Sequence, residues 1–517
     1  VHFTGIIEVR SRNFFNTDLI FPHITEAVCL PRSLSHQVGI LSLGRVFAYA
    51  VMFLVPLVNV RTLEVEEYGY YRQFWLLIET LSPLLVLGFP RSLQYFLSHA
   101  QTREERSAYI TQSVLLPACA AALAILVYAL MSNILGAGLG STVRAFFWRL
   151  SLITFCLVTT DFMDIIFVSE RRPVAQSVYY FASSGTQAVC VMLASALTHD
   201  VNSIVWTITC FAVARFLFGI GYTHTRYGLT LDHVSGKTIR NHLSFAVPLG
   251  LAQVALTFVA QTDKFLISRY LGREAFAVYA AGAFQIPFAN IVLSSIANVT
   301  FPRMVEYQRL ANYGAMVTLW RNAVLKTVVL FFPTFVLLEI LARPFITILF
   351  TETYAGAVPV FMMYLVLFLH SSADSGAIIQ AHKRNGFLLK GLLVGFVLNL
   401  LLSMGLFRVL GRIGIPLSTV ITMSVYHGVN LWYSAKLCGA SFLDLVPVRG
   451  LVARFGVALV PGAMIWLLVR ERPVTSFFEL VVMGLIYGVA YVAICAYTRI
   501  FTLADLRSLM GKGTRAR

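Results

Sequence analysis

Apolar runs of about twenty residues recur along this chain from residue 38 to residue 498, and they constrain its fold more than any other feature. Twenty residues of helix, at about 1.5 Å each, cross roughly 30 Å of lipid hydrocarbon. Inside that hydrocarbon only helices and closed barrels satisfy every backbone donor and acceptor. Barrel strands alternate apolar and polar residues, and these runs do not. The expected fold class is therefore an all-α polytopic membrane protein. About fourteen transmembrane helices are expected, over 38–60, 72–90, 107–131, 144–168, 173–197, 202–222, 243–268, 275–301, 322–349, 357–380, 386–407, 413–436, 451–470 and 476–498. The composition agrees, since 58% of the 517 residues are hydrophobic and only 12% are charged.

The charges that remain set the orientation. With both ends inside, the inner segments hold about 25 Lys and Arg and the outer loops about 10, the asymmetry expected of cytoplasmic loops. Inner clusters include Arg103/Arg106, Arg171/Arg172, Lys237/Arg240 and Lys383/Arg384, whereas the first outer loop carries Glu64, Glu66 and Glu67. This predicts cytoplasmic N and C termini, with residues 1–37 as a polar tail and 499–517 as a basic one. A net charge of +16 could suggest nucleic acid, but the basic residues are spread over many short loops and form no stripe. No nucleic-acid partner is expected.

Within the apolar pattern lies a duplication. Arg61-Thr-Leu63, Glu66 and Tyr71 match Arg269-Tyr-Leu271, Glu274 and Tyr279 at an offset of 208, and Phe89-Pro-Arg91 answers Phe301-Pro-Arg303 at 212. The slip of four residues is about one helical turn. The spans then group as an N-terminal six-helix bundle (38–222), a cytoplasmic linker (223–242), a C-terminal six-helix bundle (243–436) and two extra helices (437–498). Both bundles begin inside, so they read as parallel repeats around a central cavity, the usual place for an alternating-access site. Pro56, Pro83, Pro117, Pro248, Pro287, Pro333 and Pro461 fall inside spans, where each removes a backbone donor.

Ionisable groups inside a bilayer are costly and mark candidate sites. Arg45, Arg215 and Lys264 would make a cavity cationic, which suits a phosphate-bearing substrate because a guanidinium offers two parallel donors. Asp161, Asp374, Glu339 and Asp263 are the carboxylates able to carry a coupling ion. Asp161 and Asp374 stand 213 apart, each ten residues before a basic residue, Arg171 or Arg384, and so should occupy equivalent depths in the two bundles.

Enzyme chemistry is not expected. His99, His370, His382 and His427 lack HxxxH or HExxH neighbours, and no GxSxG elbow occurs. Seven scattered cysteines show no CxxC, so neither a metal nor a cofactor is expected. Ser235-Gly-Lys-Thr238 ends like a phosphate-binding loop, but Leu231 stands where that loop needs glycine. Transport driven by a gradient remains.

Three segments carry a resemblance: Asp263-Lys-Phe-Leu-Ile-Ser-Arg-Tyr-Leu-Gly272, Tyr279-Ala-Ala-Gly-Ala-Phe284 with Phe301-Pro302, and Leu87-Gly-Phe-Pro-Arg-Ser-Leu-Gln-Tyr-Phe96. They are similar to lipid-linked oligosaccharide flippases, the polysaccharide transporter branch of the multidrug/oligosaccharidyl-lipid/polysaccharide exporter superfamily. The resemblance covers the chain from about residue 38. It implies translocation of undecaprenyl-pyrophosphate-linked sugar units across the inner membrane for O-antigen, capsule or exopolysaccharide. Implied partners are the lipid-linked oligosaccharide, membrane lipids, a polysaccharide polymerase and glycosyltransferases. A cation-coupled multidrug exporter of the same superfamily and a membrane scaffold for assembly enzymes are the alternatives.

Overall fold

The computed structural model describes residue 48 and residues 50–134, 139–170, 172–232, 234–284 and 286–498. Arg45 and both expected tails lie outside the described residues. The chain packs as two units, one holding residues up to Gln261 with Ser268–Ala277, the other Thr262–Ile267 with residues from Val278 onward.

The first unit opens with helix α1 (Ala50–Thr62), followed by α2 (Val65–Val86) and α3 (Phe89–His99). Between α2 and α3 the chain breaks at Leu87 and Gly88, both left-handed with φ of 43° and 77°. Glycine takes that conformation freely, and Pro90 in the first turn then restarts the helix. Next come α4 (Arg103–Ile134), α5 (Leu139–Thr160) and the short α6 (Met163–Ser169), separated from α5 by a turn at Asp161-Phe162. Helix α7 (Pro173–Tyr180) passes through a π turn, Phe181–Gly185, into α8 (Thr186–Thr198). Then follow α9 (Val201–Tyr227) and α10 (Gly236–Tyr270).

Asp200 starts α9. Its carboxylate accepts the backbone N–H of Asn202 at 3.0 Å and of Ser203 at 3.2 Å, two donors that no helical carbonyl can reach. Partial burial pushes this carboxyl up, but the hydrogen bonds from Asn202 and Ser203 outweigh it and hold it below the usual range. Asp200→Ala is expected to cost about 1 kcal/mol, measured as a fall in thermal midpoint. The contribution is fully present above the unfolded pKa near 3.9, and it is lost as pH falls through the lower folded value.

The second unit takes in the last turns of α11 (Gly272–Gly282), then α12 (Pro287–Arg309), α13 (Tyr313–Ile340) and α14 (Ala342–Phe350). A 3-10 turn, Glu352–Ala357, leads into α15 (Val358–Ser371), and α16 (Gly376–Ala381) follows after an interruption. The hairpin α17 (Asn385–Leu410) and α18 (Gly414–Leu437) and the single turn α19 (Phe442–Leu445) come next. The last two are α20 (Val448–Glu471) and α21 (Phe477–Thr498). Tyr491 donates to the carbonyl of Val329 at 2.9 Å, and Val336 packs with Val457, Ile465 and Tyr487, which ties α20 and α21 to α13.

Eleven helical stretches among the described residues are long and apolar enough to cross a membrane. The expected fourteen divide the chain more finely. Asn385–Leu437 is one stretch made of two helices, Gly272–Arg309 is split at residues 283–286, and Ala50–Thr62 is short. Other expectations need adjustment. Pro287 opens α12 and does not kink a span. Helix α9 runs to Tyr227 and α10 begins at Gly236, so the connection is shorter than 223–242. Packing also assigns most of α10 to the first unit, so the second does not begin at residue 243. Phe89-Pro90 starts a helix whereas Phe301-Pro302 lies inside α12, because the two spans break at different depths.

Candidate functional site

Charge is concentrated at a few positions along the spans. In the first unit, Arg215 on α9 points its guanidinium toward the Tyr179 ring, 5.9 Å from its centroid, and within electrostatic range of Asp161. Its Nε has no hydrogen-bond partner. Asp161 occupies the turn between α5 and α6 and is exposed, with Asp164 in the first turn of α6. A carboxyl within a span is costly against lipid, which marks this turn as a candidate site. Arg215 and Asp161 thus hold opposite charges within electrostatic range of each other.

Arg72, not among the residues that the sequence singled out, sits on α2 with its Nε also unpartnered. Tyr68, Tyr71 and Glu79 act on it electrostatically. Glu79, seven residues on, accepts a weak hydrogen bond from Gln261 at 3.4 Å. The i, i+7 spacing of Arg72 and Glu79 was the available signal, since it puts both on one helix face.

Glu170 was missed as well. Just past the end of α6 it accepts Tyr222 Oη at 2.8 Å and Tyr227 Oη at 2.7 Å, with Arg226 Nε at 3.4 Å and Arg172 Nε at 3.7 Å. Two hydroxyl donors and two guanidinium charges converge on this largely buried carboxylate and clamp the end of α9 to α6. Arg273 does the corresponding work at another corner of this unit. It pairs with Glu66, donates to Ser141 Oγ at 2.6 Å and lies 3.9 Å from the Tyr70 ring centroid.

In the second unit Asp263 is wholly buried. Tyr279 and Tyr364 both donate to its Oδ2, and the backbone N–H of Lys264 donates to its Oδ1 at 2.8 Å. Three donors leave this carboxylate committed. Lys264 itself is partly buried. Asp374 differs from Asp263, because it is exposed in the interruption between α15 and α16, where its Oδ1 accepts the Gly376 N–H at 3.0 Å. Asp161 and Asp374 thus each sit at a helix break. Glu339 lies one residue from the end of α13, near the span terminus and not deep within it. His370 and His427 stack at 5.7 Å, with Ser424 Oγ 3.2 Å from His370 Nε2, and Asp374 acts on His427. Neither histidine was singled out, because their approach joins α15 to α18 across more than fifty residues of sequence.

Long apolar helices, broken at charged turns and carrying ionisable groups within their spans, define a multi-pass membrane protein with a transporter fold. The polysaccharide biosynthesis protein family matches residues 34–308, more than half of the chain, and the chain belongs to that family. Its fold is that of the multidrug/oligosaccharidyl-lipid/polysaccharide exporter superfamily. The lipid II flippase MurJ, in an inward closed conformation, superposes with a TM-score of 0.69 at 14% identity, over 88% of this chain and 99% of that one. An inward-facing multidrug resistance MATE family transporter gives 0.56 at 14% identity, over 75% and 94%. An outward-facing one gives 0.53 at 15% identity, over 79% and 97%. No curated protein matches the chain at a significant level.

Proposed function

We propose that this protein is a flippase that carries undecaprenyl-pyrophosphate-linked oligosaccharide units across the inner membrane by alternating access, for surface polysaccharide assembly. Arg215 carries the reading: a guanidinium within a span, with an unpartnered Nε, in a chain of the polysaccharide biosynthesis family. A pyrophosphate needs such a group, because a bare anion does not enter hydrocarbon. Arg72 extends the cationic set in the same unit, and Arg45 and Lys264 remain members of it. Likeness to a lipid II flippase supports a lipid-linked substrate. Asp161 and Asp374, exposed at helix breaks, are favoured over the committed Asp263 and the terminal Glu339 as ion-coupling carboxylates. Both termini would face the cytoplasm, and a polymerase and glycosyltransferases would work on either side of the step.

The test is direct. Full-length protein reconstituted in vesicles, with lipid-linked oligosaccharide in the inner leaflet only, should bring the sugar to the outer leaflet, where an added lectin captures it. Capture no faster than in protein-free vesicles, with export of cationic dyes instead, would overturn the flippase reading in favour of drug export.

A further inference from the structure

We propose that the first unit carries a saccharide-binding platform on α3 and α10, a subsite for a sugar ring of the lipid-linked substrate; it rests on the function proposed above. On α3 the exposed residues are Arg91, Gln94, Tyr95 and Ser98, at i, i+3, i+4 and i+7, followed by His99. Phe89, Ser92, Leu93 and Leu97 are buried. On α10, Asn241, Ser244 and Phe245 are exposed at the same spacing in its first turns, ahead of the exposed Leu251, Leu256 and Phe258 farther along. A lipid-facing helix exposes its apolar side, whereas α3 and the first turns of α10 expose mainly polar residues, so these two stretches face water.

Two aromatic rings stand out on these polar stripes. Tyr95, 45% exposed, stacks on Phe245, 36% exposed, with centroids 4.7 Å apart and planes 17° from parallel. His99 tilts against Tyr95 at 4.4 Å. Its Nδ1 meets the Tyr95 carbonyl at 2.8 Å and Ser98 Oγ at 3.1 Å, which leaves Nε2 for other partners. Leaving aromatic rings in water forgoes their burial, and amides and hydroxyls beside them fit a ligand with both an apolar face and hydroxyl groups. A pyranose is such a ligand. Its C–H face carries partial positive charge that matches the negative π face of Phe245 on the side away from Tyr95, and its hydroxyls match Gln94 and Asn241.

The platform is held rigid from behind. His242 is fully buried, edge-on to Phe89, Phe96 and Tyr109 at 5.1, 5.6 and 5.7 Å. Its Nδ1 lies 3.2 Å from Gln112 Oε1, and Gln112 Nε2 donates to Thr238 Oγ1 at 2.7 Å. These contacts pin α10 to α3 and α4, so the rings are positioned before any ligand arrives.

Full-length protein in nanodiscs would be titrated with lipid-linked oligosaccharide extracted from the source cells, and separately with undecaprenyl pyrophosphate. The double variant Tyr95→Ala/Phe245→Ala should bind the oligosaccharide-bearing lipid about three- to tenfold more weakly and the bare lipid as wild type does. Tyr95→Phe, which keeps the ring, should retain both. An unchanged affinity for the oligosaccharide form would overturn the platform. An equal fall for both lipids would do so too, and would make the rings lipid anchors. If wild-type protein binds neither lipid, the proposed function itself fails, which a selective loss in the variant cannot be mistaken for.

Discussion

Gly250→Val is expected to abolish accumulation of folded protein. A Cβ at Gly250 would lie 2.5 Å from both Cα and the carbonyl oxygen of Leu87, closer than real Cβ atoms come. A Cβ at Gly88, across the same crossing, would lie 2.7 Å from the Ala246 carbonyl oxygen. The opposing atoms are backbone, fixed by two successive left-handed residues, so no side-chain rotation relieves the clash. Overpacking a core costs about 1–3 kcal/mol where neighbours can yield; here they cannot, and the valine adds two further methyl groups. Gly456→Ala on α20 is the control, because nothing lies within 4 Å of its Cβ position. It should be neutral or stabilise slightly. Detergent-extracted yield and thermal midpoint report the difference, and a normal yield for Gly250→Val would show that the α3–α10 crossing is looser than described.

The second large effect falls on function. Arg215→Ala should lower surface polysaccharide at least about tenfold, in line with the roughly 1.5–3 kcal/mol of a charge-assisted hydrogen bond, while protein still reaches the membrane. The guanidinium lies within electrostatic range of the exposed Asp161 and its Nε is unpartnered, so it has a donor to give. Arg215→Lys should rescue only part of the activity, because an ammonium is a point charge without the planar fork. Asp161→Asn tests the other half of the pair and should change the response to the membrane gradient more than the amount bound. Wild-type polysaccharide from Arg215→Ala, at equal protein level, would remove Arg215 from the substrate path.

The class of fold could be read from hydropathy alone, because lipid leaves few ways to satisfy a backbone and each helical span writes itself as a local run. Helix breaks were harder to read. Leu87-Gly-Phe-Pro carries a glycine and a proline that mark one break, whereas residues 372–375 beside Asp374 carry neither glycine nor proline. Asp161 and Asp374 could still be paired, since their spacing follows the repeat. Glu170 could not be identified in advance: Tyr222, Arg226 and Tyr227 lie more than fifty residues away, and only the packing of α6 on α9 brings them to it. The same holds for His370 with His427 and for Tyr364 with Asp263. Local pattern reveals which residues are charged within a span, and long-range packing decides which are already spoken for.

Between Gln261 and Val278 the chain changes allegiance three times, and this bears on how the molecule could be divided. Gln73, fully buried, donates to Ser268 Oγ at 2.7 Å and accepts Thr142 Oγ1 at 2.5 Å. A fragment ending at the connection between α9 and α10 would lack both Ser268 and Arg273, leaving a buried amide without its acceptor and Glu66 without its cation. The two units are therefore not separable by a single cut between α9 and α10. The N-terminal fragment expressed alone should be unstable, and swapping a relative's N-terminal half should require carrying residues 268–277 along with it.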